Sequence, residues 1–189
     1  MSRVLGIVGN CSYNALISEG SVEWLCWPRP DSSFVFGPLL DRERGGAFVI
    51  EALDAADVRQ EYVENTNVLR TVFSGSEGSF ELIDFAPRFL QYDRAFKPSM
   101  LIRILRPLAG DPRVRVRCRP TWNYGREAAS SWRASNHIEY TGVPTPVRLT
   151  SINKLFLLDE QFVPGPTLLT WRGTELIRAG GAPFEVSIP

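Results

Sequence analysis

Short extended segments separated by turn signals recur along the chain, and no window of a dozen residues holds a 3.6-residue apolar period. The strictest alternation lies in RVRVRCRP. Val114, Val116 and Cys118 fall on one face of an extended strand and Arg113, Arg115, Arg117 and Arg119 on the other, because successive side chains point to opposite sides. NALIS and VEWLCW read as a hairpin across the turn 18–21, stopped by Pro28 and Pro30, which lack the N–H that a central strand donates. NVLRTVFS and FELIDFAP form a second hairpin around GSEGS, with glycines where positive φ is required. Further strands are predicted at FVFGPLL, GGAFVIEA, VRQEYV, MLIRILRPL, SNHIEYTG, VRLTSINKLFLL, FVPGPTLLTWRG and FEVSI. Residues 51–57 read as one helical turn, and RFLQYDRAFKPS as a polar connection. Ten or more strands in one domain over 1–189 imply an all-β fold with little helix, a two-sheet antiparallel β-sandwich. A single open sheet of that size would leave long edges and an uncovered face.

Composition narrows the class without naming a function. Of 189 residues, 44% are apolar and 22% charged, near the globular average, which excludes disordered, fibrous and disulfide-scaffold classes. Twenty-one basic residues balance 21 acidic ones, so no global field draws the protein to nucleic acid or an anionic membrane. Locally the balance is uneven: 88–133 carries 11 basic residues against three acids. With Trp122, Tyr124 and Trp132 nearby, an arginine face resembles a nucleic-acid platform. Cross-strand pairing with the acidic excess elsewhere explains the row with less, so no nucleic-acid partner is expected. No stretch approaches the roughly 18–20 apolar residues of a membrane span, and the five mostly apolar residues after Arg3 are too few for a signal-peptide core. Three widely spaced cysteines, Cys11, Cys26 and Cys118, read as buried free thiols in a reducing cytoplasm.

The nucleophile and metal motifs are missing from the sequence: no Gly-x-Ser-x-Gly elbow, no phosphate loop, no paired histidines (His137 stands alone) and no close cysteine pair. No metal or cofactor is expected. Asp57, Glu61, Glu64, Glu81 and Asp84 lie on neighbouring β segments and would suit glycosidic chemistry only as a correctly separated pair. Arginine partners are the simpler reading. Among the tryptophans, Trp24 and Trp171 read as packing residues, whereas Trp27, Trp122 and Trp132 lie near turns, where an indole face can stack on a sugar.

GNCSYNALISEGSVEWLCWPRPDSSFVFGPLLD, then Gly45-Gly46, QEYVENTNVLRTVF, ELIDFAP and VRVRCRPTWNYGR, appear in one order across residues 5–126. In that order they resemble the opening of the bacterial glycoside hydrolase family 15 proteins, glucoamylase-like and trehalase-like. The resemblance implies an N-terminal, supersandwich-like β domain that packs on a catalytic α/α toroid. It also places the two catalytic glutamates, general acid and general base of an inverting α-glucosidase, in that toroid, so no catalytic residue transfers to this sequence. Glu23 stands where the family has Asp, and Pro30 where it has Phe. Trp27, Arg29 and Asp31, with Trp122 and Tyr124, are the candidate substrate-rim or interdomain residues; their structural alternative is a proline-stiffened turn. An α-glucan or trehalose-type sugar is the implied ligand, and self-association the implied consequence of a missing toroid. The alternative class is a free-standing carbohydrate-binding sandwich using Trp27 or Trp122.

Overall fold

The computed structural model describes residues 4–110, 112–134, 137–145, 147–151, 161–162 and 167–173. The predicted strand FEVSI, the INKLFLL part of VRLTSINKLFLL and the VPGP part of FVPGPTLLTWRG lie outside them. In chain order the strands are β1 (Gly6–Gly9), β2 (Asn14–Ser18), β3 (Ser21–Cys26), β4 (Phe34–Phe36), β5 (Ala47–Ala52), β6 (Ala55–Tyr62), β7 (Leu69–Gly75), β8 (Gly78–Phe85), β9 (Phe89–Gln91) and β10 (Arg94–Phe96). They continue as β11 (Met100–Gly110), β12 (Val114–Arg119), β13 (Thr121–Trp122), β14 (Glu127–Ala128), β15 (Ser130–Arg133), β16 (His137–Thr141), β17 (Val147–Ser151), β18 (Gln161–Phe162) and β19 (Thr167–Gly173). No helix occurs among the described residues, so none there is long and apolar enough to cross a membrane.

Two large antiparallel sheets carry the fold. One runs β1-β2-β3-β5-β12-β18, and β4 pairs with β3 beyond the point where β5 leaves it; the other runs β15-β16-β17-β19-β11-β8-β7-β6. Their inner faces meet in one core, where Ile17, Leu25, Phe48 and Ile50 of the first sheet face Leu69, Phe80, Leu82 and Leu101 of the second. The sandwich is therefore the predicted one. Alternation on β12 holds as well: Val114 and Val116 are buried, while Arg115 and Arg117 reach Glu51 on β5 at 3.8 and 3.7 Å. That is the cross-strand pairing expected of the arginine row. Residues 51–57 form no helical turn; β5 and β6 run through them, and the Asp54 carboxylate in the turn accepts the Glu77 N–H at 2.7 Å. A bond to a neighbouring hairpin outweighs weak helix propensity in so short a segment.

The second sheet is apolar on both faces at β11. Leu101 and Leu105 point into the core, while Met100, Ile102 and Ile104 are buried on the opposite side with Ile83 and Phe85. This explains the near-continuous apolar run MLIRIL. Arg103, on the core side, is fully buried with Asp84, its direct cross-strand neighbour on β8. Its Nε donates to Asp84 Oδ1 at 2.7 Å and its Nη2 to Oδ2 at 3.2 Å. The guanidinium then crosses the interior, donating to Gly20 O at 2.7 Å and Phe48 O at 3.2 Å, with its carbon 4.6 Å above the Phe48 ring. A single side chain thus ties the two sheets together.

Candidate functional site at one end of the sandwich

The turn 10–13 between β1 and β2 organises one end of the molecule. Asn10 is buried; its Oδ1 accepts the Ser12 N–H at 3.1 Å, an Asx turn. Its Nδ2 donates to Pro87 O at 3.0 Å and to Pro98 O at 2.8 Å. Tyr13 packs edge-on against Trp27, centroids 5.1 Å apart, and donates its hydroxyl to Met100 O. Burial, reinforced by the Asp84 carboxylate, pushes the Tyr13 phenol above its ordinary range, so it remains a neutral donor. The turn 10–13, the exit from β3, the end of β8 and the start of β11 therefore meet at one end.

The structure divides the predicted site residues between interior and rim. Trp27 is 2% exposed, and its indole lies in the core rather than open to a ligand. Arg29 and Asp31 form an exposed bidentate pair, Nε to Oδ1 at 3.0 Å and Nη2 to Oδ2 at 2.8 Å. Their loop is closed by the Ser32 N–H on Arg29 O at 3.0 Å and the Trp27 N–H on Ser33 O at 3.3 Å. An exposed pair of this kind contributes little stability, about 0–1 kcal/mol, but it fixes where both charges stand. Ser33 Oγ accepts the Tyr124 N–H at 2.9 Å, and Phe34 meets the Tyr124 ring edge-on at 6.0 Å. Tyr124, at φ +55° and 66% exposed, is thereby joined to the Arg29–Asp31 loop, with Trp122 half-buried at the base of its turn. Arg29, Asp31 and Tyr124 form one rim.

Two features of this end escaped the sequence reading. The connection 88–97 is a two-stranded hairpin, β9 paired with β10, and Asn10 holds its base from both sides. The bracketing prolines and the Tyr92-Asp93 turn were the available signal. Cys11, expected to be buried, is exposed beside Arg88, whose Nη1 donates to its Sγ at 3.8 Å. Cys26 is buried, and burial pushes the Cys118 thiol up to about 12. Titration of the native chain with a disulfide reagent is therefore expected to consume one thiol rapidly and three only after denaturation. Rapid reaction of two or three native thiols would contradict the placement.

Four of the five carboxylates weighed for glycosidic chemistry sit in ion pairs. Glu81 binds Arg70 at 2.7 Å and Arg106 at 3.2 Å, Asp84 binds Arg103, Asp57 binds Arg59 at 2.9 Å, and Glu61 binds Arg70 at 3.0 Å; Glu64 is exposed. Glu61, Glu81 and Asp84 thus pair across strands and hold the sheet together, while Asp57 pairs with Arg59 along its own strand. A separate groove of about 800 Å³ borders β3, β5 and β12, with Glu51, Arg117, Arg119 and Thr121 among its lining residues.

Two antiparallel sheets packed face to face, with their loops gathered into an exposed rim and a projecting hairpin, define an antiparallel β-sandwich domain. Residues 2–161 match the family described as trehalase-like, N-terminal, and the chain belongs to that family. Trehalase 2 of Sulfolobus acidocaldarius is 34% identical over 134 residues, 71% of this chain and 21% of that protein. Trehalase 1 of the same organism is 41% identical over 85 residues, 45% of this chain and 15% of that protein, and the trehalase of Mycolicibacterium smegmatis is 29% identical over 144 residues, 69% and 21%. The chain thus spans about a fifth of the length of these relatives. No solved structure matches it.

Proposed function

We propose that this domain is the non-catalytic N-terminal unit of an α-glucoside hydrolase of the family 15 type, trehalase-like or glucoamylase-like. In this reading it packs on a catalytic α/α toroid of the same polypeptide and shapes the entrance to its active site. The observation that supports it most is the match over residues 2–161 to a domain that fills only about a fifth of several trehalases, which leaves the larger part of those proteins to hold the chemistry. In that part an acid would protonate the leaving oxygen while a base activates water on the opposite face of the sugar, giving inversion. The sandwich would supply the rim of Arg29, Asp31 and Tyr124. The free thiols support a cytoplasmic location.

The reading expects the purified 189-residue chain to release glucose from trehalose or maltose no faster than buffer. Release that disappears on Glu81→Gln would overturn the assignment of catalysis to another domain. Sequencing the locus beyond Pro189 tests the assembly directly, since an open frame of several hundred helix-rich residues is expected. The alternative, a carbohydrate-binding sandwich, draws on the groove lined by Glu51 and Arg117, where carboxylate acceptors and guanidinium donors suit vicinal hydroxyls. Calorimetric titration with millimolar trehalose and maltooligosaccharide separates the two. No saturable heat is expected, and a binding isotherm lost in Arg117→Ala would favour the binding module.

A further inference from the structure

The most exposed apolar side chains at the end organised by the turn 10–13 sit on the β9–β10 hairpin. Leu90 is 78% and Tyr92 88% exposed, although both belong to an ordered two-stranded ribbon. Phe89 and Phe96, paired across its strands, stack at 5.6 Å and stiffen its base. Below them the buried Asn10 amide holds the carbonyls of Pro87 and Pro98, the residues through which the chain enters and leaves the hairpin. An isolated two-stranded hairpin is marginal in water, so aromatic stacking and a buried clamp show an element held in shape while its tip stays uncovered. Large exposed apolar groups on a fixed element mark a contact surface.

We propose that this hairpin is the element by which the sandwich grips the catalytic part of its own polypeptide, with Leu90 and Tyr92 entering an apolar slot rimmed by acidic side chains. The inference rests on the function proposed above. Two observations select this occupant. About four-fifths of each matched trehalase lies outside the region that this chain covers, so a large surface must meet the domain somewhere. The segment 88–97 also carries Arg88, Arg94 and Lys97 against the single acid Asp93, so two copies meeting hairpin to hairpin would set like charges against each other. A partner with acidic groups around an apolar slot meets no such penalty. The hairpin and the Arg29–Asp31 loop leave the same end of the sandwich, joined through the turn 10–13 by Asn10 on Pro87 and Pro98 and by Tyr13 on Trp27. A toroid seated on the hairpin would therefore lie beside the rim.

Hydrogen exchange on the 189-residue chain and on the full-length protein encoded at its locus tests the proposal. The amides of residues 89–96 are expected to exchange about tenfold or more slowly in the full-length protein. The double variant Leu90→Asp, Tyr92→Asp is expected to abolish that protection and to split the full-length melt into two transitions, while leaving the midpoint of the 189-residue chain in place. If the hairpin exchanges alike in both proteins while another face of the sandwich gains protection, the domains pack elsewhere; the hairpin is then eliminated and the proposed function stands. If the frame stops after Pro189, or if no face gains protection, the function falls and the hairpin with it. Dimers of the 189-residue chain that the double variant disperses would assign the hairpin to a second copy instead.

Discussion

Arg103→Met is expected to lower the stability of the sandwich by about 3–5 kcal/mol, the cost of leaving one partner of a buried ion pair uncompensated. For a chain of this length the thermal midpoint falls by roughly 6–20 °C. The loss equals that of a large core truncation although little volume is removed, because the guanidinium serves four acceptor contacts in a fully buried position: both oxygens of Asp84, Gly20 O and Phe48 O. Methionine fills much of the volume but offers no donor to any of them. Burial already pushes the Asp84 carboxyl up, and Arg103 is the group that opposes this. Without it the folded pKa stands further above the unfolded value near 3.9. A raised folded pKa means that the native state holds its proton longer, so the deficit grows as pH climbs from about 4 and levels off above the raised value. Chemical denaturation of the variant at pH 4 and pH 8 checks the sign, with the larger loss expected at pH 8. The double variant Arg103→Met, Asp84→Leu is expected to recover part of the loss, since replacing both charges removes the orphan. If the double variant is less stable than Arg103→Met by a full additive increment, the two residues do not act as a pair.

That pair shows how far the alternation of side chains reads a fold. Phe80, Leu82 and Asp84 share one parity on β8, and Leu101, Arg103 and Leu105 share one on β11. Opposite charges at core parity on two pairing strands were therefore visible in the chain as letters. Only the register, which sets Arg103 opposite Asp84, turns them into a contact, and register comes from tertiary packing. The arginines of β12 were legible for the converse reason: their parity put them outside, and the acidic excess of the rest of the chain had to supply their partners, although that the partner is Glu51 of β5, far away in sequence, was not legible. The β9–β10 hairpin was not, because three-residue strands between prolines hold too few positions to show a period. Trp27 illustrates a different limit. Local signals place it beside a turn, but its burial depends on Tyr13, fourteen positions away, whose hydroxyl reaches Met100. The exposed rim of Arg29, Asp31 and Tyr124 was legible as residues; the bond from the Tyr124 amide to Ser33, which assembles it, spans 91 positions and was not.

Gly20→Ala is the second substitution expected to cost about 3 kcal/mol or more, near the upper end for a single methyl group. The turn 18–21 has positive φ at both central residues, Glu19 at +49° and Gly20 at +82°, the pattern of the type I′ hairpin turn. A left-handed alanine alone costs about 1–2 kcal/mol. At Gly20 the added Cβ would also lie 2.1 Å from Ile50 O and 2.9 Å from the Phe73 ring, so the backbone of β5 has to move. That movement breaks more than a turn. Gly20 O accepts the Ile50 N–H at 3.1 Å and Arg103 Nη2 at 2.7 Å, so displacing it loosens both the pairing with β5 and the guanidinium that joins the sheets. Gly142→Ala supplies the control: its φ is +76°, but the nearest atoms to its Cβ, on Ser130, are 3.9 Å away, and the loss there is expected to stay at about 1–2 kcal/mol. Denaturation midpoints that fall equally for the two alanines would show that the close approach at Gly20 is absent in solution. Because Gly20 and Arg103 share a hydrogen bond, their losses are expected to sum to more than the loss of Gly20→Ala, Arg103→Met together. Strict additivity would mean that the guanidinium does not bind Gly20, leaving Phe48, through its carbonyl oxygen and its ring, to hold it to the opposite sheet.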